Sequence, residues 1–193
     1  ASAATSGTCG ENVTWTLDED GTLTISGTGD MDSSDFSRYD IKSVIIENSV
    51  TSIGDYTFSG CVNLTSITIP DSVTSIGNHA FDFCLDLPSI KLSSNLTSIG
   101  DQAFYQCKKL TSITIPSSVT SIGEFAFYEC IGLTSINVDK YNPKYCSVNG
   151  NVFSKDKTEL IEYASGKTEK SYIVPNGVTS IGVQAFSCCK LTS

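Results

Sequence analysis

The sequence predicts a right-handed, β-rich solenoid of short strands and single helical or 3₁₀ turns, closed at its N-terminal end by a β cap. Three observations carry that expectation. Ile53, Ile76, Ile99 and Ile122 recur at a strict step of 23 residues, and Gly54, Phe58 and Cys61 each open a series with the same step. Every period contains two short apolar alternations, the pattern of half-buried strands. A unit of that size cannot bury its apolar face alone, so the copies must stack on one another.

Taken in chain order, residues 1–8 are small and polar and read as a disordered remnant left by removal of a signal peptide. Ala1-Ser2-Ala3 is the small-residue type of tripeptide found beside a cleavage site. Residues 9–40 read as the cap that covers the first open coil. In it Trp15 and Leu17, then Leu23 and Ile25, alternate around Asp18-Glu19-Asp20-Gly21, a turn ending in the Asp-Gly hairpin signal. Eight acids in residues 1–40 face Arg38 alone, so much of the negative charge lies at this end. The D-x-D-x-D-G spacing of a calcium loop is absent, and the acidic turn reads as a solvated one.

Residues 41–193 read as the solenoid proper. Four full copies run from Ile41 to Gly132, and a further one appears at Ile181, Gly182, Phe186 and Cys189. In Leu64-Thr-Ser-Ile67-Thr-Ile69 the isoleucines share one strand face and Ser66 and Thr68 the other. Pro70, Pro116 and Pro175 then end the strand, because proline removes a ladder donor. The glycine after the second alternation, as in Val73-Thr-Ser-Ile76-Gly77, marks either a positive φ or a place too tight for a Cβ. Asp55, Asn78, Asp101 and Glu124 follow it and read as caps of one helical or 3₁₀ turn holding the Ala-Phe pair. Stacked at about 4.8 Å per coil, the copies align rows of Leu, Ile, Val, Phe and Cys.

The unit I-T-I-P-x-x-V-T-S-I-G-x-x-A-F-x-x-C-x-x-L-T-S resembles the BspA-like (treponemal-type) class of leucine-rich repeat, and the resemblance covers residues 41–193. The segment from Gly7 to Met31 resembles one that often precedes such repeats. The departures are Pro88 for the Thr of Leu-Thr-Ser, Ser93 for the strand-ending proline and Ile41 for the leading leucine; none is expected to disturb the core. The resemblance implies a secreted or cell-surface protein that adheres to, or binds, host or extracellular-matrix proteins without catalysis. The chain ends on Leu191-Thr192-Ser193, the opening of another unit, and reads as continuing in the natural protein.

One repeat is enlarged, over residues 139–171. Asn151 to Tyr163 read as a hairpin with its turn at Lys155-Asp156-Lys157-Thr158. The enlargement carries six of the chain's 12 basic residues with five acids, so it is nearly neutral on a molecule of net charge -9, and it reads as either a structural variant repeat or a binding protrusion. It also interrupts an otherwise monotonous surface, and per-repeat insertions map to loops. Tyr141, Lys144, Tyr145, Lys155, Lys157 and Tyr163 are therefore candidate partner-binding residues. With them go Ser112, Thr114, Ser135 and Asn137, the outward side chains of the neighbouring first strands. Tyr56, Phe83, Tyr105, Phe125 and Tyr128 occupy variable slots and form either an aromatic ridge or a cover over the core.

Other chemistry finds little support. Cys61, Cys84, Cys107, Cys130 and Cys189 share one repeat slot and read as free, inward-facing thiols. Cys9, Cys146 and Cys188 fall outside the row. No C-x-x-C pair accompanies the single histidine, His79, so neither a zinc site nor a His-based nucleophile is expected. No phosphate-binding or dinucleotide glycine motif occurs. No cofactor is expected, and the acidic balance argues against nucleic acid. No apolar run approaches the ~20 residues of a membrane span. The expected role is binding of a protein partner. The alternatives are a structural spacer or stalk displaying other domains, and weak carbohydrate binding through exposed tyrosines.

Overall fold

The computed structural model describes residues 5–193. The cap is an antiparallel meander of β1 (Thr5–Thr8), β2 (Val13–Leu17) and β3 (Thr22–Gly27), followed by the short β4 (Gly29–Asp30). Residues 5–8 are therefore part of the cap: β1 pairs with β2 over its whole length, its polar side chains lining an exposed edge. Residues 1–4 of the expected remnant lie outside the described residues. Trp15 and Leu17 on β2, with Leu23 and Ile25 on β3, all point inward. Asp18 closes their turn by accepting the N–H groups of Asp20 and Thr22.

Beyond the cap the chain winds as a β-solenoid of about 7 turns, and among the described residues no helix forms. Counting coils from Ile41 in steps of 23 residues, coils one, two, four and five carry the first strands β5 (Ser43–Ile46), β7 (Ser66–Thr68), β10 (Ser112–Ile115) and β12 (Ser135–Val138), and coil three carries none. The second strands are β6 (Val50–Ile53), β8 (Ser75–Ile76), β9 (Ser98–Ile99) and β11 (Ser121–Ile122). The second strands pair in parallel without a break, in the order β4-β6-β8-β9-β11. On the other side β3 hands the ladder to β5 and then β7, where it stops; β10 and β12 form a separate pair.

The expected helical turn is replaced by something flatter. Each unit places two left-handed residues four apart: His79 (φ 54°) and Phe83 (φ 55°), Gln102 (φ 51°) and Gln106 (φ 56°), Phe125 (φ 57°) and Glu129 (φ 58°). A left-handed residue breaks the i→i−4 ladder a helix needs. The main-chain bonds run along the stack instead. His79, Phe81 and Phe83 donate their N–H groups to the carbonyls of Asp101, Ala103 and Tyr105 in the next coil, at 2.8–2.9 Å.

The acids read as caps serve that same stacking. Asp55 accepts the N–H of Asn78, Asn78 that of Asp101, and Asp101 that of Glu124, at 2.7–2.8 Å. The glycine beside them has no positive φ at Gly54, Gly77, Gly100 or Gly123. Its requirement is space: a Cβ on Gly100 would meet the Gly77 carbonyl carbon at 2.5 Å and the Asn78 nitrogen at 2.6 Å.

Within the stack Phe36, Phe58, Phe81, Phe104 and Phe127 form a row with centroids 5.3–5.9 Å apart. Beside it lie Cys61, Cys84, Cys107 and Cys130, all buried and unpaired; the last three each donate a thiol to a phenylalanine carbonyl one coil back. Cys189, expected in this row, is only half-buried. Burial pushes the Cys61 thiol up to about 12 and holds those of Cys84 and Cys107 well above the ordinary range. Thiolate is the reactive form, so alkylation of the native protein at pH 8 should spare these three and modify exposed Cys188. After unfolding without reductant, mass spectrometry should find every one of them modified; a disulfide within the row contradicts the arrangement.

Candidate functional site

The enlarged repeat is a three-stranded antiparallel unit: β13 (Tyr145–Val148), β14 (Asn151–Ser154) and β15 (Glu159–Glu162), with β16 (Ser180–Ile181) joined in parallel to β15. β14 and β15 form an antiparallel hairpin. The turn before it is Asn149-Gly150, both residues at positive φ (51° and 75°), the geometry of a type I′ hairpin. That Asn-Gly signal was available in the sequence and would have revealed β13.

Asn142 roots the repeat. The side chain is fully buried, donating to the carbonyls of Pro116 and Val119 and accepting from the N–H groups of Lys144 and Tyr145, each at 2.8–2.9 Å. It thereby pins a lysine-rich tip to the regular stack. At the tip Lys155 donates its N–H to the Lys144 carbonyl and its ammonium to the Lys140 carbonyl. Lys140 in turn lies over the Tyr141 ring at 4.8 Å, and Tyr141 is 75% exposed. Lys157 is exposed on the hairpin turn beyond.

The candidate residues thus divide. Tyr141, Lys144, Lys155 and Lys157 stand in solvent on the enlargement. Tyr145 is half-buried, its hydroxyl accepting the Ile122 N–H at 3.3 Å where the second-strand ladder ends. Tyr163 is a correction: it is 1% exposed, packed on Tyr172 and Phe186 with centroids 4.9 and 5.5 Å away, and belongs to the core. Ser112, Thr114 and Asn137 are exposed and Ser135 half-buried, paired across the strands as Ser112 with Ser135 and Thr114 with Asn137. Strand face and enlargement meet at Ser135, against which Gly150 packs too tightly for a Cβ. Asp139 links them further, accepting the Tyr141 N–H at 2.8 Å while its side chain borders the strand face.

The variable-slot aromatics form a ridge on the turn face. Tyr56 stacks on His79 at 4.6 Å, and Phe83, Tyr105, Tyr128 and Phe125 follow in contact, with centroids 5.2–5.7 Å apart. Tyr56 and Phe83 are exposed and the others half-buried. His79 shares a hydrogen bond with Asp82 at 2.9 Å.

Beneath the enlargement a cavity of about 230 Å³ lies between coil four and β15, lined by Glu124, Glu159 and Glu162 among apolar side chains. Burial alone pushes the Glu162 carboxyl up to about 8. The folded chain then holds a proton that the unfolded chain releases near pH 4.3. Stability from this group is complete at acid pH and declines as pH rises from about 4.5 to 8. Glu162→Gln should remove that decline, seen as a flatter plot of urea midpoint against pH.

Stacked 23-residue coils with inward Leu, Ile and Phe rows define a leucine-rich-repeat solenoid. The chain belongs to the family described as BspA type leucine rich repeat region, matched in six copies over residues 30–159 and 144–193. No curated protein shows significant sequence similarity to it. Among solved structures it is similar to a leucine-rich repeat protein from Eubacterium ventriosum, at 28% identity and TM-score 0.77, covering 97% of this chain and 58% of that one. The pneumococcal vaccine antigen PcpA shares the fold at 23% identity and TM-score 0.66, with 95% and 62% covered. So does the leucine-rich repeat protein of T. pallidum, at 22% identity and TM-score 0.52, with 87% and 78% covered. The chain thus spans about three fifths of the first two structures. These structural neighbours are bacterial leucine-rich repeat proteins.

Proposed function

We propose that the chain is a non-catalytic adhesion module, secreted or displayed at a cell surface, that binds a host or extracellular-matrix protein through the enlarged repeat and the adjoining strand face. One observation carries the reading. The enlargement is the main interruption of a regular surface, and it presents exposed Tyr141 amid Lys140, Lys144 and Lys155 on a molecule of net charge -9. An acidic partner is steered to that tip and repelled by the acidic cap, and tyrosine is a residue type enriched at interfaces. A spacer role is favoured by the continuous β4-to-β11 ladder and phenylalanine row, which make a stiff rod.

The test is binding to immobilised fibronectin, laminin and collagen, comparing the native chain with Tyr141→Ala/Lys144→Glu. Both side chains are exposed, so the variant should keep its melting temperature while losing at least tenfold in affinity for whichever protein is bound. A second variant replaces residues 139–171 with a plain unit. Binding that survives both changes makes the enlargement scaffold and favours the spacer.

A further inference from the structure

We propose that the joint between coil four and the enlarged repeat is a pH-gated hinge: acid keeps it shut, and ionisation of Glu162 opens the cavity that it encloses. The hinge adds to the protein-binding reading and does not depend on it.

Three features that run along the stack all stop at this joint. At the joint before it, Gln102, Phe104 and Gln106 donate their N–H groups to the carbonyls of Glu124, Ala126 and Tyr128, each at 2.9 Å. Among the described residues the next members of that series, Phe125, Phe127 and Glu129, donate to no main-chain carbonyl, and the series resumes only with Tyr163 on Ala185 at 2.8 Å. The second-strand ladder ends at β11, and β15 belongs to another sheet. The phenylalanine row ends at Phe127, while Tyr163 packs on Tyr172 and Phe186 of the last coil. Phe153, Leu160 and Ala185 accordingly make a small core of their own.

The cause is a shortened turn. Leu160 pairs with Ile181 and so fills the Ile122 slot, and Tyr163 fills that of Phe127. Five positions separate Ile122 from Phe127, but three separate Leu160 from Tyr163. The cavity of about 230 Å³ lies where the turn is short, with Ile122–Phe127 on one wall and Glu159, Ile161 and Glu162 on the other. The joint is not loose all round. Ser165 donates its hydroxyl to the Cys130 carbonyl at 2.8 Å, Gly166 its N–H to Leu133 at 2.7 Å, and β12 stays paired with β10, which together make the pivot. At the cavity side the tie is the Ile122 N–H on the Tyr145 hydroxyl, at 3.3 Å.

The charges around Glu162 all work in one direction. Coil four contributes the Glu124 carboxyl and β15 that of Glu159; β14 contributes Val152 and the last coil Gly182 and Val183, and no Lys, Arg or His borders the space. From β13 comes Tyr145, whose phenol burial holds above its ordinary range and therefore neutral. A Glu162 carboxylate meets no opposite charge there, so it needs water, and water enters when the walls part. The shut joint keeps the Glu162 proton up to about pH 8, whereas an open, hydrated one releases it near pH 4.3. Opening is therefore least at acid pH, grows about tenfold per pH unit between about 4.5 and 8, and levels off above that.

The test is amide hydrogen exchange of the full chain by NMR, with each rate divided by its intrinsic rate at the same pH. Protection of Ile122 should fall at least tenfold from pH 5 to pH 7 and stay at least a hundredfold below that of Gly123, its neighbour, which donates back to Ile99. In Glu162→Gln the fall should vanish. Tyr145→Phe, which deletes the tie and keeps the ring, should lower Ile122 protection at both pH values and leave the slope intact, so a misfolded first variant does not end the test. Ile122 as protected as Gly123 would mean that the joint opens only when the whole chain unfolds, and would overturn the hinge. A flat Ile122 profile in the native chain overturns its gating, as does a slope that survives Glu162→Gln in a folded protein.

Discussion

Phe104→Ala should cost about 3–5 kcal/mol, the range for emptying a core aromatic. The ring is fully buried and lies between Phe81 and Phe127, at 5.4 and 5.6 Å and within 4° of parallel. Removing it leaves a cavity that both neighbours line. The backbone of Phe81 and that of Phe104 itself are fixed by hydrogen bonds along the stack, to the Ala103 and Ala126 carbonyls at 2.8–2.9 Å, so the coil cannot easily collapse to fill the space. Phe83 is the contrast: it is 39% exposed on the turn face, and Phe83→Ala should cost less than about 1 kcal/mol. Urea melts of both variants give the comparison. Equal losses contradict an inward row.

Gly100→Ala should destabilise by about 2–3 kcal/mol although it adds one methyl group. The new Cβ meets the backbone of Gly77 and Asn78, which cannot rotate aside as a side chain would. Either the two coils part, stretching the Asn78–Asp101 bond of 2.8 Å, or the strain stays in the chain. Gly177 tests the reasoning from the other direction. There a Cβ has open space but φ is +97°, so Gly177→Ala should lose only about 1 kcal/mol to backbone conformation. Comparable losses at both glycines would mean that inter-coil spacing is not what fixes glycine at this slot.

Much of this was legible in the sequence because stacking repeats each signal. Ile53, Phe58 and Cys61 are ambiguous singly, but recurrence at 23 residues makes them rows, and the cap alternation of Trp15, Leu17, Leu23 and Ile25 needed only a hairpin signal. The turn was misread for a physical reason. Asp55, Asn78 and Asp101 are good helix caps, and the bonds they make run 23 residues forward to the next coil, a partner that local sequence does not display. Positive φ at Phe83 and Gln106 was equally hidden, since neither residue type favours it. At the site, the lysines and Tyr141 were legible as exposed residues of an insertion. Tyr163 was not legible as core, because its neighbours Tyr172 and Phe186 come from the following coil. Pro88 was visible as a departure; its side-chain row is intact, while the missing N–H coincides with a break in the ladder.

A stack zipped along one face and opened at a single coil on the other makes a residue-level forecast for amide hydrogen exchange. Phe81, Gly100 and Phe104 donate along the stack and should exchange only through global unfolding. Ser89, Ile90, Lys91 and Leu92 should exchange orders of magnitude faster, despite the burial of Ile90 and Leu92. Uniform protection across coil three, equal to that of Gly100, would mean that the ladder is continuous there and would contradict the break.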